Sequence, residues 1–340
     1  MDIPSKTILL TGATGYVGGR LLPALLEHGH AVRALARQPA RAQVPAGVEV
    51  VGGDVIKGQG LEAALAGVDV AYYLVHSMGR GSGRTSEFAA NDRKGAANFG
   101  RAAKEAGVRR VIYLGGLDAG EEHTSEHLQS RHETAEVLRA HVDELVYVRA
   151  AMILGQGSAS FEMLSHLVRR LPAMLTPKWV DTHSQPVAIR DVVETLHVVA
   201  DLEAVPPEVE LGGADVLTYR EMMLRFAAVA GKRPPMIVKV PVLSPRLSSY
   251  WVSLFTPVEA GLVRPLVDGM SAETVVRNPP PPEINPHPLG FDAAVREALG
   301  GGIQLAVDAN HCFTVPQAIK LGRELEKLDL LWFEEPISPE

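Results

Sequence analysis

Through the first 150 residues, short apolar runs alternate with stretches whose apolar positions recur at helical spacing. Thr7–Leu10, Ala31–Ala36, Val48–Gly52, Val70–Val75, Arg110–Leu114 and Leu145–Arg149 are brief, almost wholly apolar and bounded by glycine or polar residues. That pattern predicts strands buried on both faces. Between them, Arg20–Leu26, Leu61–Ala66 and Ala89–Ala106 read as amphipathic helices, the last ending at Gly107. Regular strand–helix alternation predicts an α/β, Rossmann-like, doubly wound parallel sheet that takes its ligand at the carboxyl ends of the strands. Pro23 falls early enough in the first helix to kink it rather than break it.

After Gly155 the alternation loosens. Phe161–Leu175 and Val187–Ala200 read as helices, and Val209–Leu211 and Met236–Val240 as strands. Thr218–Gly231 carries its own start signal, with Thr218 as N-cap and Glu221 three residues later completing a capping box. These pieces predict a small substrate subdomain drawn mainly from 155–185 and 215–278. The run Pro279–Pro282, followed by Pro286 and Pro288, reads as a stiff spacer over 279–291. The expected organisation is therefore a first domain over 1–278, this spacer, and a separate unit over 292–340.

Composition narrows the function classes. The chain has 340 residues, 46% hydrophobic and 21% charged, which is ample for a globular core. A net charge of −7 without a basic stripe argues against nucleic acid as the main partner. The single cysteine, Cys312, excludes internal disulfides and fits a reducing, cytoplasmic setting. Met1–Lys6 is not signal-like, and the longest apolar stretch, Leu247–Val267, is interrupted by Pro257, Glu259, Arg264 and Pro265, so no membrane span is expected. Oligomeric state stays open.

The chemistry concentrates at Gly12-Ala13-Thr14-Gly15-Tyr16-Val17-Gly18, between the first strand and the first helix. Gly12 permits a sharp turn out of the strand, Gly15 lets a pyrophosphate approach the backbone, and Gly18 lets the helix pack closely. The helix N-terminus then faces the diphosphate with free N–H groups and the positive end of its dipole. About 20 positions past such glycines, an acidic residue would hold the ribose 2′-hydroxyl of NAD. Here no Asp or Glu lies near Ala36; Arg37 follows, with Arg33 and Arg41 close. A guanidinium in place of a carboxylate favours a 2′-phosphate, so NADP(H) is expected over NAD(H). Asp54 and Val55, just past the third strand, are placed for the adenine, and Val75, His76 and Ser77 for the ribose and nicotinamide.

Thr11–Gly18, Gly53–Val55, Ala102–Leu114, Val148-Arg149 and Ile189–Val192 together resemble the atypical short-chain dehydrogenase/reductases, close to NmrA-like and epimerase-like members, over roughly residues 6–278. Active members of that superfamily reduce a carbonyl with a Tyr-x-x-x-Lys pair, the lysine easing the tyrosine's proton transfer. In this chain the lysine position falls at Arg131, the tyrosine position at His127 and the usual serine at Gly115-Gly116. Arg131 cannot act as a base at neutral pH. His127 and His76 remain candidates for moving a proton, and His127 also reads simply as a surface histidine in an acidic loop. Met78, Gly116, Leu117, Gly157, Ser158 and Phe161 are expected to line the pocket. Two readings stay open: an oxidoreductase passing hydride to an unknown small or quinone-like acceptor, or a non-enzymatic NADP-binding sensor or assembly factor.

The C-terminus follows another pattern. Ile303–Val307 and Leu330–Phe333 read as strands flanking an amphipathic helix over Val315–Leu328, with Asp308 and Glu334 at the strand ends. This βαβ unit resembles part of the barrel of the enolase superfamily, in its mandelate-racemase-like branch. The resemblance implies that Asp308 and Glu334 occupy two positions of a Mg²⁺ site in a lyase or racemase. One βαβ unit cannot close a barrel, and a third carboxylate is missing, so no working metal is expected. Ala293–Gly300 reads acceptably in both families, which suggests either a join between two chains there or a docked extension.

Overall fold

The computed structural model describes residues 5–76, 85–118, 126–240, 267–300, 306–308, 313–325 and 332–334. The chain separates into two compact units, Met1–Val295 and Arg296–Glu340.

In the first unit, strands β1 (Thr7–Thr11), β2 (Ala31–Ala36), β3 (Glu49–Gly52), β4 (Val70–Tyr73), β5 (Arg110–Gly116) and β6 (Leu145–Ala150) alternate with helices. The helices are α1 (Gly18–Glu27), α2 (Leu61–Leu65), α3 (Thr85–Glu105) and α4 (Glu126–Arg139). An edge strand, Glu208–Leu211, completes a seven-stranded sheet in the order β3-β2-β1-β4-β5-β6-edge. Every pairing in it is parallel. Parallel strands need long crossovers, and those crossovers cover both faces. Ile8, Leu10, Tyr72, Ile112 and Val146 pack beneath α1 and the later helix α6 (Ile189–Asp201). Leu9, Ala71, Tyr73, Tyr113 and Tyr147 pack beneath α2, α3 and α4. The near-continuous apolar runs that betrayed the strands follow from this double burial. Strand order reverses between β1 and β4, which opens the ligand crevice of such sheets at their carboxyl ends.

The elements differ from the expected ones in three places, two of them in the looser second half. The helix from Phe161 spans α5 (Ala159–Arg170) and stops well before Leu175. Leu171 is extended ahead of Pro172, as the clash with a proline ring requires, and Ala173–Thr176 becomes a strand paired in parallel with Met236–Lys239. Val187-Ala188 is a short strand pairing with Ile153-Leu154, so α6 begins only at Ile189. His127 lies in the first turn of α4 rather than in a loop. The Thr218–Glu221 capping box is formed at the start of helix α7 (Tyr219–Val229).

The proline-rich stretch is tied down. Ile284 is buried, the Leu289 N–H donates to Asp191, and the Phe291 N–H donates to Asp215 at 2.7 Å. Arg225 bridges Asp215 and Asp292.

In the second unit, strands Ala306–Asp308 and Trp332–Glu334 pair in parallel, and helix Val315–Leu325 lies between them in sequence. Their register sets Asp308 opposite Glu334 at the carboxyl ends of adjacent strands. Residues 241–266, including most of the Leu247–Val267 run, and Cys312 lie outside the described residues. Among the described residues, no helix is long and apolar enough to cross a membrane.

Candidate functional site

The crevice is built first by the glycine turn. Gly12 adopts φ +71°, and a Cβ there would stand 2.8 Å from the Leu74 carbonyl oxygen beyond β4. At Gly18 a Cβ would lie 2.2 Å from the Gly12 carbonyl oxygen, so the helix start packs onto the turn itself rather than onto the sheet. Gly15 differs: its Cβ would meet only that same oxygen, at 3.1 Å, and the residue is exposed. Two glycines thus shape the turn, and the third leaves an open face for a ligand.

Thr11 is the residue that sequence reasoning passed over. Fully buried at the end of β1, it donates through Oγ1 to the Tyr72 carbonyl at 2.9 Å and accepts from the Leu74 N–H at 2.9 Å. This hydroxyl fastens the two strand ends that flank the crevice. Its only signal was a polar residue closing an apolar run directly before glycine. Thr11→Val removes both bonds while keeping the shape, and is expected to cost about 1–2 kcal/mol in urea unfolding.

Tyr16 and Arg20 brace the far side of the turn. The Arg20 guanidinium lies 4.2 Å over the Tyr16 ring and donates to the Gln156 carbonyl. A Cβ on Gly155 would fall 2.3 Å from the Tyr16 hydroxyl, so the loop after Leu154 seats directly on this ring. Burial pushes the Tyr16 phenol up to about 12, with Arg20 opposing and Glu162 adding to the rise. It stays protonated at neutral pH.

Around the crevice the expected residues separate. Arg37 is exposed just past β2 and makes no ion pair among the described residues. Arg33 does not share that site. It pairs with Glu49 at 2.7 Å and donates to the Ala64 and Ala66 carbonyls, capping the end of α2. Four residues of strand, about 13 Å, separate it from the strand terminus where Arg37 stands. Asp54 follows β3, where its Oδ1 accepts from the Ile56 and Lys57 N–H groups and shapes its own loop. Val55 and Val75 pack half-buried against the α2–α4 face, and His76 is exposed past β4.

Across the crevice, β5 ends in Gly115-Gly116. A Cβ on Gly115 would lie 2.5 Å from Tyr147 Cε2 and 2.7 Å from its hydroxyl; one on Gly116 would lie 2.4 Å from Leu128. Tyr73, Tyr113 and Tyr147 are register partners on three adjacent strands, and the last two stack with ring centres 5.3 Å apart. Arg131 donates to the Leu114 carbonyl and hydrogen-bonds the Tyr113 hydroxyl. Burial pushes that phenol up, with Arg131 only partly offsetting it. Of the other expected lining residues, Phe161 is buried against Phe226, Leu117 is buried, and Ser158 donates to the Ile153 carbonyl. These three belong to the core rather than to an open wall. Met78 and the His127 side chain lie outside the described residues.

Residues 12–153 match the NAD(P)H-binding family. That match covers under half of the chain. A triphenylmethane reductase from Citrobacter sp., solved with NADP(H), superposes with a TM-score of 0.67 at 22% identity, over 86% of this chain and 99% of that one. The first unit therefore shares the fold of that reductase. A 3-beta-hydroxysteroid dehydrogenase of Mycolicibacterium neoaurum is 33% identical over 113 residues, 31% of this chain and 31% of that protein. Residues 292–340 match the enolase C-terminal domain-like family. There the D-galactarolactone cycloisomerase of Agrobacterium fabrum is 52% identical over 48 residues, 14% of this chain and 13% of that protein. The chain thus spans under a third of the length of either of these curated relatives.

The residues of the glycine turn suit such a cofactor. Gly15 is exposed in front of the α1 N-terminus, where a Cβ would obstruct a diphosphate; its own N–H is spent on the Gly12 carbonyl at 2.8 Å, so the donors for a diphosphate would come from the helix N-terminus that follows.

Proposed function

We propose that the first unit is a reductase that binds NADPH in preference to NADH and serves a small acceptor needing no proton from the protein. The observation that carries this reading is Arg37 past β2, which makes no ion pair among the described residues, with no carboxylate on that strand end. The backbone of Gly12–Gly18 would hold the diphosphate, Arg37 the 2′-phosphate, and Asp54 with Val55 the adenine. Bound there, NADPH supplies a hydride.

The residues around β5 and α4 speak against the usual Tyr-Lys proton relay. Arg131 stands at the lysine position with its guanidinium committed to Leu114 and Tyr113, and Tyr147 fills the space a serine would need at Gly115. Acceptors that take a hydride without an enzyme-supplied proton, such as quinones or cationic dyes, suit this wall best. The triphenylmethane reductase among the structural neighbours is described as bioremediating triphenylmethane dyes, which supports the choice of class. Sterol-like ketones are the natural competitor, given the hydroxysteroid dehydrogenase relative.

Fluorescence titration decides the cofactor. Arg37→Ala is expected to weaken NADPH about 10- to 100-fold, the worth of a charge-assisted contact, and to leave NADH unchanged. Equal affinity of the unaltered chain for both would overturn the preference. Turnover of NADPH against quinones, cationic dyes, aldehydes and sterol ketones then tests the reaction. Tight binding with no oxidation by any of them would mark a non-enzymatic NADP sensor instead.

A further inference from the structure

At the opposite end of the sheet from the crevice, three side chains converge on a small buried space. His30 directly precedes β2, while His197 and Asp201 lie one turn apart on α6 and so share a face. His30 Nε2 stands 3.4 Å from Asp201 Oδ2, and His197 Nε2 stands 3.2 Å from the same oxygen. Both histidines are about 5% exposed or less. None of these three atoms has a hydrogen-bond partner among the described residues. Buried polar atoms left this way are costly, and three in one place call for an explanation.

The spacing supplies one. Nitrogen and oxygen ligands about 2.0–2.2 Å from a tetrahedral ion stand roughly 3.3 Å from one another. The donor atoms of the three residues lie within 4.8 Å of each other. We propose that His30, His197 and Asp201 form a zinc-class metal site, with two imidazole nitrogens, one carboxylate oxygen and a fourth position left to water.

The surroundings agree with that assignment. Lys6 Nζ holds Asp201 Oδ1 at 2.7 Å and also donates to the Ala200 carbonyl, which fixes the carboxylate and turns Oδ2 toward the rings. Its positive charge disfavours hard cations held by charge alone, so the imidazole pair selects Zn²⁺ over Mg²⁺ or Ca²⁺. The His28 ring lies 3.7 Å from that of His197 and supports its orientation. Ligation through His30 Nε2 places that ring's proton on Nδ1, so the 3.4 Å contact from the Lys6 N–H is given up on loading. The site joins the starts of β1 and β2 to the end of α6, where an ion acts as a staple and takes no part in hydride transfer.

Titrating the metal-stripped full chain tests this. One Zn²⁺ per chain, a rise of several degrees in Tm, and no response to Mg²⁺ are expected. Co²⁺ should give the intense visible bands of a four-coordinate site. H30Q and H197Q should weaken Zn²⁺ binding by roughly 100-fold, at least what loss of an outer-shell partner costs, with NADPH binding intact. Absence of four-coordinate Co²⁺ bands in the unaltered chain overturns the site, and this readout needs no variant to fold. Zn²⁺ binding unchanged in both H197Q and D201N overturns it equally.

Discussion

Gly18→Ala is expected to destabilise the first unit by about 3 kcal/mol or more and to abolish nucleotide binding. The new methyl would sit 2.2 Å from the Gly12 carbonyl oxygen and 2.8 Å from its carbon, both main-chain atoms that no rotamer change can move. Relief requires the helix start to lift away from the turn, which carries the first N–H groups off the ligand. Gly15→Ala is the control that separates fold from ligand. Its methyl meets only one oxygen, at 3.1 Å, so the variant should unfold within about 1 kcal/mol of the parent. Nucleotide affinity should nevertheless fall at least tenfold, because the methyl occupies the face a pyrophosphate would use. Urea unfolding and NADPH titration on both variants check the pair. A stable Gly18→Ala chain that still binds would sink the account of the turn.

Gly115→Ser, which puts back the hydroxyl that active short-chain reductases carry at this strand end, is expected to cost about 2–3 kcal/mol and to bring no gain in turnover. The reason is Tyr147, whose ring and hydroxyl stand 2.5 and 2.7 Å from the position of the new Cβ. Tyr147 is itself fixed by stacking on Tyr113 and by complete burial, so it cannot yield cheaply. Space is the issue, and a double-mutant cycle shows it. Tyr147→Ala alone should cost about 3–5 kcal/mol for the cavity it leaves, yet Gly115→Ser added to it should cost little or nothing further. Strict additivity of the two losses in denaturant unfolding would mean that Tyr147 does not block the position.

Much of the first unit was legible along the chain because its sheet is parallel and covered on both sides. Each strand then announces itself as an apolar run, and β1 to β6 fall within two residues of the runs that predicted them. The second half was harder to read. In Phe161–Leu175 the helical spacing continued past Leu171, and only the backbone restriction ahead of Pro172 ended it. In the glycine turn, the positions of Gly12 and Gly18 and of Arg37 were legible because they are local features: a turn, a helix start, a strand end. Arg33 was misleading for the opposite reason. Proximity in sequence set it beside Arg37, while the rise of the strand between them and its register opposite Glu49 sent it to that carboxylate and the carbonyls at the end of α2.

The sequence by itself determined the doubly wound sheet, the dinucleotide turn and the βαβ character of the C-terminal unit. Periodicity and glycine placement are properties of neighbouring residues, and they act before any long-range contact forms. Only the tertiary structure decided that Thr11 fastens β1 to β4, that Tyr147 closes the space at Gly115, and that His30, His197 and Asp201 meet. Those residues are 61, 32 and 167 or more positions apart in the case of Thr11–Tyr72, Gly115–Tyr147 and His30–His197 (72 − 11, 147 − 115, 197 − 30). Their meeting depends on strand order and helix packing, which no local pattern of side chains encodes.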